Sequence, residues 1–415
     1  MLYVQLQHKL TLATSMNSSL STKNFTRSGV APPDQKNSAS SALIPPHTKT
    51  SFLPELESLR GLAAFAVVVE HSYLYMNEPA AGLFQHSTGS YPLLHWLIHV
   101  LFNGRAAVVL FFVLSGFVLK LQLDKISGGP VEKYSSYFVR RIFRIVPTMW
   151  VSVFIAYAVA YYTRAPGETD IPLLIKTLAF QDFTLNSPLW SLNVEMGCSL
   201  VFPVLYVINQ HVKKLWEVLF LIPLAALIFA PRFSAATDFA RYLVFFQLGF
   251  AIHTYGLTAV KAVRPSWRST LFVISFLVFG VAPQLWAFDN NYFSFRDDRY
   301  YLLLEIPACF YFLSYIVHEQ NRLIQTSLNS RLAKFLGKIS FSLYLLHFIL
   351  VSYLWPRYGT SPQLSFLWPY PLLFQTIFFF IIVSVSIPVS RLAYQYIELP
   401  SSNLGRHLGR SIQKK

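Results

Sequence analysis

Two ionisable side chains stand eleven residues apart in one apolar run, Arg60 and His71 within ELESLRGLAAFAVVVEHSYLY, Glu55–Tyr75. Eleven residues make about three helical turns, so both fall on nearly one face, separated by ~16 Å of rise. An imidazole that deep in hydrocarbon is costly, so it faces protein or a wet cavity and acts as a base, a ligand or a packing hydrogen-bond partner. Two further groups of this kind follow, Glu195 in SPLWSLNVEMG and His347 in GKISFSLYLLHFIL. Counted from the expected helix entries, Glu195 lies ~9 Å inside one face and His347 ~18 Å inside the other. His71, Glu195 and His347 are thus expected at one level, in the outer half of a membrane, around a polar cavity. Ser340, Tyr344 and His347 recur at i, i+4, i+7 and share a helix face.

A second constellation is cationic. Arg140, Arg141 and Arg144 crowd into YFVRRIFRIVP, Tyr137–Pro147, at the mouth of an apolar run, and Arg60 sits at the same end of its own helix. Such a cluster serves as a topology anchor, as a polyphosphate site with planar guanidinium forks, or as both. Ser115-Gly116, inside VVLFFVLSGFVL, is a small pair that lets another helix approach. Trp190 suits the membrane interface. His95 and His99 have the i, i+4 spacing of metal ligands, but the sequence supplies no third, so no metal is expected. Cys198 and Cys309 lie in apolar runs and read as packing thiols.

The elements that must carry these groups follow from composition. Of 415 residues, 54% are hydrophobic and 13% charged, against about a quarter charged in soluble domains. The mean hydropathy is +0.43. The chain reads as an all-α, polytopic membrane helix bundle of about ten transmembrane helices. The segments are approximately 57–76, 98–121, 145–163, 189–209, 215–230, 240–256, 269–288, 300–317, 335–355 and 372–394, each near the ~20 residues a span needs. The fifth, short and holding Pro223, is the weakest. Residues 1–50, rich in Ser, Thr, Asn and Pro, read as a disordered cytosolic tail, with a transit-peptide flavour in the absence of any acid before Asp34. Residues 51–398 form the membrane domain and 399–415 a basic cytosolic C-terminal tail. With the N-terminus cytosolic, all but eight of the 34 Lys and Arg fall on the cytosolic side, the bias that orients membrane proteins. The +15 formal charge therefore faces anionic lipid and cytosolic anions, and no nucleic-acid partner is needed.

Five motifs, in order, resemble the acyltransferase-3 family of integral membrane O-acyltransferases. They are LRG…H at Leu59–His71, FFVLSGF at Phe111–Phe117, RRIFRIVP at Arg140–Pro147, WSLNVE at Trp190–Glu195 and ISFSLYLLH at Ile339–His347. The resemblance spans about residues 52–395. It implies ten helices, acyl-CoA as a cytosolic donor substrate and transfer of an acyl group, often acetyl, to a hydroxyl. The acceptors it implies are sugars, surface glycans or small metabolites. In that frame His71 is the expected base, with a covalent acyl-histidine as the sharper variant. Glu195 orients an imidazole or binds acceptor hydroxyls, and Arg60, Arg140, Arg141 and Arg144 hold the CoA phosphates. The sequence departs from the family pattern at Glu70, where an apolar residue is usual, at Phe341, where Tyr is common, and at Arg105-Ala106-Ala107. Glu70 is therefore expected to alter the basicity of His71.

The rival from another class is a transporter using the buried His and Glu as a proton relay. Against it, the sequence shows neither an inverted repeat nor paired broken helices. A histidine followed five positions later by Asp, as in soluble-type glycerolipid acyltransferases, is also absent.

Overall fold

The computed structural model describes residues 54–74, 97–98, 100–163, 165, 167, 169–211, 221–229, 238–289, 299–319, 321–354, 361–367 and 369–414, all within one unit, Thr50–Lys415. The expected N-terminal tail, 1–50, and the His95/His99 pair lie outside these residues. Among the described residues every regular element is helical.

The helices are α1 Pro54–Leu74, α2 Gly104–Lys125, α3 Pro130–Thr163, α4 Ile171–Leu178, α5 Leu189–His211, α6 Leu221–Ala226, α7 Leu243–Ala262, α8 Pro265–Asp289, α9 Arg299–His318, α10 Arg322–Leu328, α11 Arg331–Leu354, α12 Pro371–Ala393 and α13 Leu399–Ile412. Six helices among the described residues are long and apolar enough to cross a membrane, so the expectation of about ten is not matched by this measure. Of the expected fifth span, 215–230, only 221–229 lie among the described residues, as α6 and a 3-10 turn, Leu227–Phe229. Outward-facing apolar side chains such as Leu200, Val204, Ile274, Phe380 and Val385 make a surface that lipid, not water, solvates well.

Two of the helical runs are too long for one crossing. α3 has 34 residues and the Leu372–Ile412 run has 41, rises of ~50 and ~60 Å against ~30 Å of hydrocarbon. Their surplus lengths pack on each other. Gly405 of α13 lies against Phe143, and Gly409 lies against Ser136 and Arg140. The expected C-terminal tail is therefore a helix, joined to α12 through a π turn, Tyr394–Glu398.

α1 is held between α2, α11 and α12, which shields its Glu, Arg and His side chains from lipid. Its contact with α11 is intimate because two glycines meet. A Cβ on Gly61 would stand 2.2 Å from Gly337 N, and one on Gly337 would stand 2.6 Å from Glu57 O. Ten residues beyond Gly61 is His71, and ten beyond Gly337 is His347. Two contacts at equal offsets require parallel helices in register; ten residues fall ~80° short of three full turns on each helix, so the second contact is turned from the first by the same amount on both. The glycine contact therefore sets the histidine contact. Gly61→Ala is expected to destabilise the bundle by about 1–3 kcal/mol, the overpacking range, despite alanine's better helix propensity. A lowered unfolding midpoint in detergent tests this; an unchanged or raised midpoint contradicts it. Gly116 and Gly249 do the same for α2 and α7, each facing the other helix's backbone.

Candidate functional site

His71 and His347 touch. His71 Nδ1 and His347 Nε2 are 2.9 Å apart, and the rings are nearly coplanar at 12°. Phe348 presents its ring edgewise to His71, with centroids 5.0 Å apart. His347 is fully buried, and its Nδ1 lies 2.9 Å from Leu343 O. A carbonyl only accepts, so that nitrogen carries the proton. In the neutral pair His347 Nε2 is then the acceptor, and His71 Nδ1–H must donate to it. The lone pair of His71 is left on Nε2, which has no hydrogen-bond partner among the described residues. The tautomers are assigned from this chain of hydrogen bonds. The backbone of α11 thus dictates, through His347, which nitrogen of His71 is basic.

Glu195 makes its contacts with a different set of groups. Ser191, Glu195 and Ser199 recur every fourth residue on α5 and line one stripe. Ser191 Oγ meets Tyr344 OH at 2.7 Å. Glu195 Oε1 accepts from Ser115 Oγ at 3.0 Å and forms a short ion pair with Arg141. Arg141 Nε–H also donates to Ser199 Oγ at 2.9 Å. The hydrogen bonds of Glu195 thus join it to Ser115 and Arg141, and among the described residues none links it to either imidazole. Tyr344 lies between the two sets, its ring 6.1 Å from His347 and its hydroxyl on α5.

The four arginines divide. Arg60, Arg141 and Arg144 share their electrostatic surroundings with Glu195 and Glu398. Arg140 turns away, toward Gln413, Arg406 and Arg410 of the C-terminal region. Glu398 is a group that sequence reasoning missed. It is buried in the π turn and accepts from Ser342 Oγ at 2.7 Å. Its only sequence signal is a lone acid directly after the last apolar run, and π turns often occur at functional positions.

The remaining expected residues are structural in their contacts. Ser115 bonds Glu195, Gly116 packs on Phe246, and Trp190 stacks obliquely on Tyr242 and Phe112. Glu70 sends its carboxylate to Gly104 N at 2.7 Å, capping the positive end of α2. Phe341 is core, and Cys198 and Cys309 are buried free thiols. Arg105 approaches buried Glu305 at 3.9 Å.

A family model described as an acyltransferase domain, acyltransferase-3, matches residues 53–391. A Staphylococcus aureus (strain COL) protein provisionally named an O-acetyltransferase is 23% identical over 399 residues, covering 85% of this chain and 58% of that protein. The chain thus spans under two thirds of the length of that relative. Acyltransferase MdmB of Streptomyces mycarofaciens is 25% identical over 331 residues, 72% of this chain and 79% of the relative. A protein of Acidianus two-tailed virus, provisionally named an acetyltransferase, is 23% identical over 305 residues, 72% of this chain and 83% of the relative. No solved structure matches.

Proposed function

Because the chain belongs to the acyltransferase-3 family, we propose that it is a membrane O-acyltransferase moving an acyl group, acetyl in the first instance, from acyl-CoA to a hydroxyl of a sugar, glycan or small metabolite. The observation that carries this is the hydrogen-bond chain from Leu343 O through His347 to His71, which leaves one basic nitrogen free at the far end of α1 from Arg60.

In this reading both termini are cytosolic, and the donor enters from the arginine end. The acceptor hydroxyl hydrogen-bonds to His71 Nε2. As its oxygen attacks the thioester carbonyl, Nε2 takes the proton, the C–O bond forms and the carbonyl becomes an oxyanion. The imidazolium so formed carries N–H on both nitrogens, and Nδ1–H still points at the lone pair of His347 Nε2, which stabilises the charge where it develops. Collapse of the tetrahedral intermediate breaks the C–S bond. The departing thiolate recovers the proton from Nε2, so ester and CoA thiol are the products and the base is restored. Arg60, Arg141 and Arg144 present three guanidinium groups beside Glu195 and Glu398 along the donor's path.

Purified protein in nanodiscs, incubated with acetyl-CoA labelled in the acetyl group and a glycan and lipid extract, tests the reading. Alkali-labile label on a hydroxyl-bearing acceptor is expected. Label retained on the protein as acyl-imidazole would point to the covalent variant, and no turnover of acetyl-CoA would sink the proposal.

A further inference from the structure

Arg140 is the arginine that the inner cluster does not use, and the fold has built it a place of its own. Its side chain lies across α13 where Gly409 leaves room. A Cβ there would stand 2.7 Å from Arg140 Nε and 2.9 Å from Ser136 Oγ. Arg140 donates from Nη2 to Gln413 Oε1 at 3.3 Å, and Gln413 Nε2–H donates on to Ser127 O at 3.3 Å. This ties the end of α13 to the loop between α2 and α3. Arg140 Nε–H is buried without an acceptor. The charges that bear on Arg140 are those of Arg406 and Arg410, which stand i, i+4 on one exposed flank of α13. Glu398, the nearest acid in sequence on that side, is engaged by Ser342 and Arg144. Three cations gathered in this way repel one another, and a phosphate dianion is what planar guanidinium forks accept best.

We propose that Arg140, Arg406 and Arg410 form a second cationic site that holds the 3′-phosphate of the donor's nucleotide. The proposal rests on acyl-CoA being the donor. Position selects the occupant. The site is one helical turn from Arg144, ~6 Å of rise, on the side away from His71, which lies another ~16 Å beyond Arg60. A donor with its thioester at His71 and its pyrophosphate at the inner arginines leaves its nucleotide at this next station.

The test is the affinity of the full-length protein, in nanodiscs of neutral phosphatidylcholine, for CoA and for 3′-dephospho-CoA. The wild type is expected to bind CoA at least ten times more tightly. Arg406→Gln with Arg410→Gln should abolish that preference while leaving the Kd for 3′-dephospho-CoA where it was. Arg406→Lys with Arg410→Lys, which keeps the charge but removes the forks, should fall between, and it guards against a fold lost with the charges. Equal wild-type affinity for the two ligands overturns this site but leaves the donor reading standing. Failure of the wild type to bind either ligand overturns both. If the Gln variant differs from wild type only in discs containing phosphatidylglycerol, the cluster reads a lipid phosphate and the proposal is wrong.

Discussion

His71→Ala is expected to lower acyl transfer by about 10³-fold, within the 10²–10⁴ range of a positioned general base, while donor affinity stays near that of wild type. The imidazole supplies the one basic nitrogen whose tautomer the fold dictates, and alanine offers no proton acceptor at that point. His347→Ala is expected to cost about a tenth to a hundredth as much, because it removes only the group that fixes the tautomer and stabilises the imidazolium. The discriminating variant is His347→Gln. A glutamine whose side-chain carbonyl accepts from His71 Nδ1–H keeps the correct tautomer, so it should recover part of the loss, whereas a merely space-filling role would be served equally by leucine. The two histidines act as a unit, so the double alanine variant should be scarcely worse than His71→Ala alone. Turnover of labelled acetyl-CoA at saturating acceptor reads all four. Full activity in His71→Ala would remove the imidazole from the mechanism.

The histidine pair was partly legible in the sequence because both residues count to one depth in runs expected to enter from the same side. What the sequence did not say was that Gly61 and Gly337 touch, since a close helix contact is a property of two segments and no single window contains it. The arginines show the opposite failure. Arg140 and Arg141 are neighbours in the chain, but adjacent helical residues diverge by ~100°, so a cluster in sequence became two clusters in space. Glu195 was recognised as costly, but Arg141 was not recognised as its partner, because an ion pair between two helices is a property of neither segment alone. Glu398 and the basic residues after it looked like a tail because a charged, glycine-containing stretch resembles one until its partner helix is known. The all-helical class followed from composition, whereas the number of spans is not fixed by it, since six helices among the described residues have the length and hydropathy of a crossing.

Breaking the pair Arg141–Glu195 is expected to cost the protein about 3–5 kcal/mol of stability, the penalty for leaving one charge of a buried pair uncompensated. The two side chains are 8% and 17% exposed, so water reaches them poorly. Ser115 Oγ–H donates to the carboxylate, Arg141 Nε–H donates to Ser199 Oγ, whose own proton goes to the Glu195 backbone carbonyl, and Tyr137 OH donates to the Ser199 carbonyl at 2.9 Å, tying α3 to α5. Glu195→Ala should therefore lower the unfolding midpoint sharply, Arg141→Ala about equally, and Arg141→Met with Glu195→Leu should recover most of the loss, because apolar replacements of similar volume remove both charges at once. The same series separates the two roles open to Arg141. A guanidinium held by a carboxylate and two hydroxyl-linked neighbours is a poor free ligand for phosphate, so the stability change should dominate in Arg141→Ala. Were Arg141 instead a phosphate ligand first, its loss would weaken CoA binding and leave the unfolding midpoint nearly unmoved. A stable, donor-binding double variant would then be unobtainable, and its recovery is the result that assigns Glu195 to holding α2, α3 and α5 together.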